Sequence, residues 1–176
     1  EQAPFKIQFR YLKFSELPIV LNELESVGIT TFQCAGDNFR GAVTSPLDGY
    51  SKTSPIDTMP LLEQMQEVFL KNEDWIGTLP RKFNTAILGD TVNTCNIFGN
   101  DCAFALASKN GEYGFNLYLG GKVGVQARPL NLFIKPNQVK DVFETVIKLF
   151  KSYGFRDNRN KNRLNFLLDA VTLEEF

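Results

Sequence analysis

Histidine is absent from the 176 residues, and this removes Ser-His, Cys-His and His-zinc chemistry from the chain. Proton transfer would fall to lysine, tyrosine, a carboxylate or water held by arginine. Cysteine is scarce. The three present, Cys34, Cys95 and Cys102, are an odd number at wide spacing and support neither a disulfide framework nor a metal motif. Cys95 and Cys102 read as buried or loop thiols before they read as ligands. Long apolar runs are missing too. Nothing approaches the roughly 20 residues of a transmembrane helix, so no membrane contact is expected. The opening EQAPFK lacks the basic start and apolar core of a signal peptide, which makes a soluble, cytoplasmic protein the expectation. The charge is nearly balanced, at −1. With no nucleic-acid-binding motif in view, a nucleic-acid partner is not expected either.

What is present is enough apolar material, 43% of residues, to bury a real core as one domain or two small ones. FKIQFRYL (Phe5 to Leu12) alternates as a half-buried strand does. A helical pattern follows through Leu17, Val20, Leu21, Leu24 and Val27, with Ser15 as a plausible N-cap and Gly28 as its stop. GITTFQCA then returns as a β-rich run. Strand, helix and strand in this order suggest a βαβ unit or half of a ferredoxin-like layer. Turn-rich segments lead to a helix near Met59 to Asn72, striped by Leu61, Leu62, Met65, Val68 and Phe69. A soft boundary falls in Lys71 to Leu79.

Beyond it, LPRKFNTAILG reads as a strand, and DCAFALAS and GFNLYLGG read as two more, joined at Asn110-Gly111 by a hairpin turn. ARPLNLFI is a further strand candidate. Pro136 opens the clearest helix, with Val139, Val142, Phe143, Val146, Ile147 and Phe150 on one face and Gly154 at its end. A last helix is expected between Arg159 and Ala170. The expected fold class is therefore α+β: a ferredoxin-like βαβ half-domain over residues 1–75, then a mixed or antiparallel sheet packed with helices over residues 76–176.

Three constellations carry chemistry. In LPRKFN, Arg81 and Lys82 stand at a strand entrance after Pro80, either as an anion site with a fork and a point charge or as a solvated strand end. In AGDNFRG, Arg40 lies between Gly36 and Gly41, in a ligand loop or an ordinary turn. In YGFRDNRNKNRLNF, Arg156, Arg159, Lys161 and Arg163 crowd a helix start, where the helix dipole opposes them. Either water or an anion compensates.

LPRKFNTAILGD, NDCAFALASKNGEYGFNLYLGGKVG and LFKSYGFRDNRNKNRLNFLLDA together resemble, in order and spacing, the first half of the siroheme-dependent nitrite and sulfite reductases. Upstream, IQFRYLKFSELPIVLNELESVGITTFQCAGDNFR is similar to that family's ferredoxin-like half-domain and following loop. Siroheme carries eight carboxylates and the substrate is a small anion, so the resemblance implies a cation-lined pocket. It implies Arg40, Lys82 and Asn84 as catalytic residues, and Arg40, Arg81, Lys82, Asn84, Gly120, Gly121, Arg159 and Arg163 as siroheme-binding. No metal ligand is assigned within the chain. Asn84 stands where relatives resembling sulfite reductases usually carry lysine, which favours a monoanion such as nitrite. Gly120 and Gly121 would bring backbone close to the cofactor, or simply form a strand-ending bulge.

The resemblance also implies a 4Fe-4S cluster in the intact enzyme, held by C-x5-C and C-x3-C pairs in its second half. That pattern is missing here, as is a further siroheme arginine that the family carries before the IQFRYL segment. The chain is thus expected to be the N-terminal part of a nitrite reductase that draws electrons from ferredoxin, inactive alone and completed by a missing C-terminal half. The alternatives are a sulfite reductase half, or a non-catalytic module that pairs with a second copy of itself through exposed strand edges and binds an anionic tetrapyrrole or nothing.

Overall fold

Asn110 and Gly111 both take positive φ, 53° and 81°, as a tight hairpin turn demands. They join β2 (Cys102–Lys109) to β3 (Glu112–Leu119) in antiparallel register, with Phe104 opposite Leu117. This computed structural model describes residues 9–173 and 175–176. β4 (Arg128–Ile134) pairs antiparallel with β3, and β1 (Thr85–Leu88) pairs parallel with β2, giving a mixed sheet in the order β1-β2-β3-β4. A parallel pair needs a crossover of about a dozen residues or more. Segment 89–101 supplies it as a loop with a short 3-10 turn at Ile97–Gly99.

Period-two alternation divides the strands between two faces. Ile87, Cys102, Phe104, Phe115, Leu117 and Leu119 face the main core. Ala86, Leu88, Ala103 and the half-buried Tyr118 face a smaller cluster with Val43, Ile97, Phe98 and Cys95. Over the main face lie α2 (Met59–Phe69), α3 (Val139–Tyr153) and α4 (Leu164–Ala170). The stripe expected on α2 is buried at all five positions, and α3 buries Val139, Phe143, Val146, Ile147 and Phe150. Phe143 meets the rings of Phe39, Phe69 and Phe83 at centroid distances of 6.0, 6.2 and 6.5 Å. The α+β class and the helix-packed mixed sheet are as the sequence implies.

The segment before this sheet differs from its local pattern. The first half of the expected strand Phe5 to Leu12 lies outside the described residues, and residues 9–12 are not extended into a sheet; Phe9 and Tyr11 are exposed. Ser15 is not a helix cap. It sits inside a 3-10 turn, Phe14–Glu16, and α1 (Leu17–Ser26) starts after it with Pro18 in its first turn. GITTFQCA forms turns rather than a strand. The reason is the want of a neighbour: a strand exists only by pairing, and α1 buries none of its residues.

Two helix ends also move. α2 stops at Phe69 because Lys71 takes φ 59° and the Asn72 side chain caps a new 3-10 turn, Glu73–Trp75. α4 begins at Leu164 rather than Arg159. Residues 155–163 are pinned instead as a loop, with Arg156 Nη2 donating to Thr78 O at 2.9 Å and Asn162 Nδ2 to Pro80 O at 2.7 Å.

One segment joins the sheet without being a regular strand. Phe39 and Val43 bridge in parallel to Phe83 and Ala86. Arg40 N donates to Phe83 O (2.8 Å), Val43 N to Thr85 O (3.0 Å) and Ile87 N to Val43 O (2.9 Å). The outer edge of β1 is therefore covered, and Arg40 is carried alongside LPRKFN.

Two expectations for stability follow from this architecture. Phe143→Ala empties the centre of the ring cluster and is expected to cost about 3–5 kcal/mol in urea unfolding. Asp90 is buried, accepts from Thr53 Oγ1 (2.7 Å) and Val92 N (3.0 Å), and is held by these bonds and by Ser51 at a pKa of about 2, below the ordinary 3.8. A depressed acid stabilises above its unfolded pKa, and that contribution disappears as pH falls from 3.8 toward 2. The stability gap between wild type and Asp90→Asn should stay level above about pH 4 and close by about pH 2 in denaturant titrations.

Candidate functional site

Phe83 is fully buried against Phe39 and Phe150, so its insertion fixes the backbone around it. Arg81, Lys82 and Asn84 remain half-buried at the entrance to β1. Two carboxylates organise them, neither of which the sequence reading singled out.

Asp101 is the deeper one, 1% exposed at its side chain. Its oxygens accept a fork from Arg163, Nε at 2.9 Å and Nη2 at 2.7 Å, and also the Asn84 backbone N–H at 2.8 Å. Its main-chain carbonyl takes Gly120 N–H at 2.8 Å. Burial raises its carboxyl above the usual range, while the Arg163 charge and fork, the Asn84 N–H and the Lys82 charge act the other way. Lys82, Asn84, Gly120 and Arg163, four residues singled out in the sequence, thus converge on one residue, Asn84 and Arg163 bonding its carboxylate, Lys82 acting on it by charge and Gly120 bonding its main-chain carbonyl.

Asp37 is the shallower one. Its Oδ1 accepts from Arg81 Nη1 at 3.4 Å and Arg159 Nη2 at 3.3 Å, and its Oδ2 accepts from Arg159 Nη1 at 2.9 Å. Arg40 turns under the same loop. It donates to the carbonyls of Cys34 and Gly36, the latter at 2.9 Å, and its Nε is buried with no partner. Of the crowded basic segment, Arg159 and Arg163 meet carboxylates and Arg156 meets main-chain carbonyls.

Gly120 and Gly121 approach the protein's own backbone. A Cβ on Gly121 would lie 2.3 Å from Phe98 O and 2.4 Å from Asn100 O, and Gly120 has φ 82° with Leu168 and Asn165 against it. Both glycines seat the end of β3 on the 98–100 turn and on α4, beside Asp101.

Comparison with known proteins decides the family. The model for the nitrite and sulphite reductase 4Fe-4S domain matches residues 35–176. The chain belongs to the nitrite and sulphite reductase family. It is 32% identical to the ferredoxin–nitrite reductase of Leptolyngbya laminosa over 97% of its length and 35% of that protein. It is 33% identical to sulfite reductase [ferredoxin] 1 of Mycolicibacterium paratuberculosis, over 97% of the chain and 31% of that relative. The structure of the NirA protein of Mycobacterium tuberculosis superposes with a TM-score of 0.84 at 28% identity, covering 92% of this chain and 30% of NirA. The chain therefore spans about a third of the length of the relatives it matches.

The residues can be weighed against the family's two prosthetic groups. A cluster of four cysteine-held irons does not fit. Cys102 faces the main core and Cys95 the opposite face of the sheet, while Cys34 is exposed in the loop before Asp37. Burial pushes the Cys95 thiol up to about 11 and the Cys102 thiol higher still. Among the described residues no three His, Cys, Asp or Glu side chains are grouped to hold a metal ion. A tetrapyrrole bearing carboxylates does fit. Arg40, Arg81, Lys82 and Arg159 gather from three separate segments at one end of β1, and the Arg40 Nε is a buried donor still lacking an acceptor.

Asp101→Asn leaves the Arg163 guanidinium, 14% exposed, without its counter-charge. It is expected to cost about 3–5 kcal/mol in chemical unfolding. Asp169→Asn, which breaks the exposed pair with Arg128, should cost less than about 1 kcal/mol in the same assay.

Proposed function

We propose that the chain is the N-terminal part of a siroheme-dependent reductase that converts nitrite to ammonium with six electrons. The reading rests on one observation above the rest: the cations of loop 34–40, of the entrance to β1 and of loop 155–163 meet at a single place, although they are far apart in sequence. Bound siroheme would supply the iron through which electrons reach the substrate. This chain's residues supply the binding and the field. The guanidinium forks of Arg40, Arg81 and Arg159 hold carboxylates. The Lys82 ammonium, a compact charge and a proton donor, stabilises the negative oxygen released as N–O bonds weaken. Asn84 contributes an amide and no charge, and this supports a monoanionic substrate over sulfite.

A sulfite reductase role is the second reading, supported by the 33% identity to a sulfite reductase. In either case ferredoxin is the electron donor, and the cluster is carried by a C-terminal half outside these residues. The exposed apolar residues Ile19, Leu21 and Val27 on and after α1 suit contact with that half, or with a second copy of this one.

An absorption titration of the chain with siroheme is expected to show bands that shift again when nitrite is added. Lys82→Ala in the complete reductase should lower nitrite turnover by about 10²-fold or more with siroheme retained. Unchanged turnover at full siroheme occupancy would overturn the role given to Lys82.

A further inference from the structure

Asp37 holds an unusual position for an acidic residue: it is engaged by two arginines that arrive from segments 44 and 122 residues away. Its loop is fixed from below. Asn38 is buried, its Nδ2 donating to Ala35 O at 2.7 Å and its Oδ1 accepting from Gly77 N, and Phe39 is packed into the core. Gly36, with φ 71°, turns the chain just before it. The backbone at 36–39 is therefore set by contacts that do not involve the carboxylate, which stands above it at the surface, 23% exposed. Both terminal nitrogens of Arg159 and one of Arg81 are spent on it.

We infer that Asp37 is a built-in stand-in for a ligand carboxylate: it holds Arg81 and Arg159 facing one another, and it must be displaced from both when a polycarboxylate binds. The inference rests on the anion-site reading above. The chemistry of the pair sets the direction of the effect. The N–H groups that an incoming carboxylate needs are those that Asp37 occupies, so the two compete for one set of donors. Partial exposure makes the exchange feasible, since an ion pair open to water is held weakly. A ligand with several carboxylates replaces both arginine contacts at once, whereas a monovalent anion replaces one and still meets the repulsion of Asp37. Asp37 thereby selects for multivalent carboxylates at this rim of the site.

The test is a citrate titration of the chain, following the arginine side-chain N–H signals by NMR. Citrate presents three carboxylates and needs neither the cofactor nor turnover. Asp37→Asn is expected to bind citrate about tenfold more tightly than wild type, the effect of removing one competing charge at hydrogen-bond distance. Asp37→Ala removes the acceptor as well as the charge and should do the same. Asp169→Asn makes the same change in net charge at the remote Arg128 and should leave the affinity within about twofold. Equal or weaker binding by both Asp37 variants, with melting temperatures near wild type, would overturn the stand-in role and leave the anion site intact. Absence of citrate binding in every chain, with the Arg81 and Arg159 signals shifted in Asp37→Asn, would overturn the anion-site reading and this inference with it.

Discussion

The buried pair of Asp101 and Arg163 is the constraint on which the rest of the structure depends. Asp101 lies where the crossover loop enters β2, Asn84 precedes β1, Gly120 ends β3 and Arg163 precedes α4. One residue therefore ties the starts of two parallel strands and the residue before α4 through its carboxyl group, and the end of a third strand through its main-chain carbonyl. Removing a charge pair of this kind is costly only when one partner goes. What the pair contributes is register: the backbone N–H of Asn84 can reach Asp101 in one alignment of β1 against β2, and that alignment sets Arg81 and Lys82 at the sheet's end.

Elements whose stability is local or whose partners lie within the chain were legible from sequence. The Asn110-Gly111 turn, the apolar stripes of α2 and α3 and the alternation of β2 and β3 each satisfy one rule with nothing opposing it. The segment around α1 followed the same rules and still departed from them, because alternation and β-propensity describe a surface waiting for a neighbour. GITTFQCA has none among the described residues. Ser15 departs from its expected role as a cap for a smaller reason: Pro18 fits the first turn of a helix starting at Leu17, two residues beyond the serine.

The candidate site was half legible. Cations stand out in LPRKFN and in the late basic segment because local rules leave them without purpose. Their counter-ions did not. Asp37 and Asp101 look like ordinary turn residues, one after Gly36 and the other after Asn100, and only the fold shows that each is met by an arginine from a distant segment. A signal was available all the same. A basic cluster opposed by a helix dipole demands compensation, and an aspartate flanked by a strand's apolar residues, as Asp101 is by Cys102 to Ala107, was a candidate to supply it.

The covering of β1 by residues 38–43 has a bearing on how the site is made and unmade. Hairpin β2–β3 closes through its own two-residue turn, whereas the contacts of Asp37 with Arg159 span 122 positions. Loop-closure entropy places such contacts late in assembly. In the folded molecule the same ordering runs backwards. The part-exposed ion pairs of Asp37 part first, whereas Phe39, packed against Phe69 and Phe83 in the main core, and the buried Asn38 keep loop 34–40 on the sheet. Side chains at the rim of the candidate site can thereby exchange partners while the backbone beneath them stays with the core.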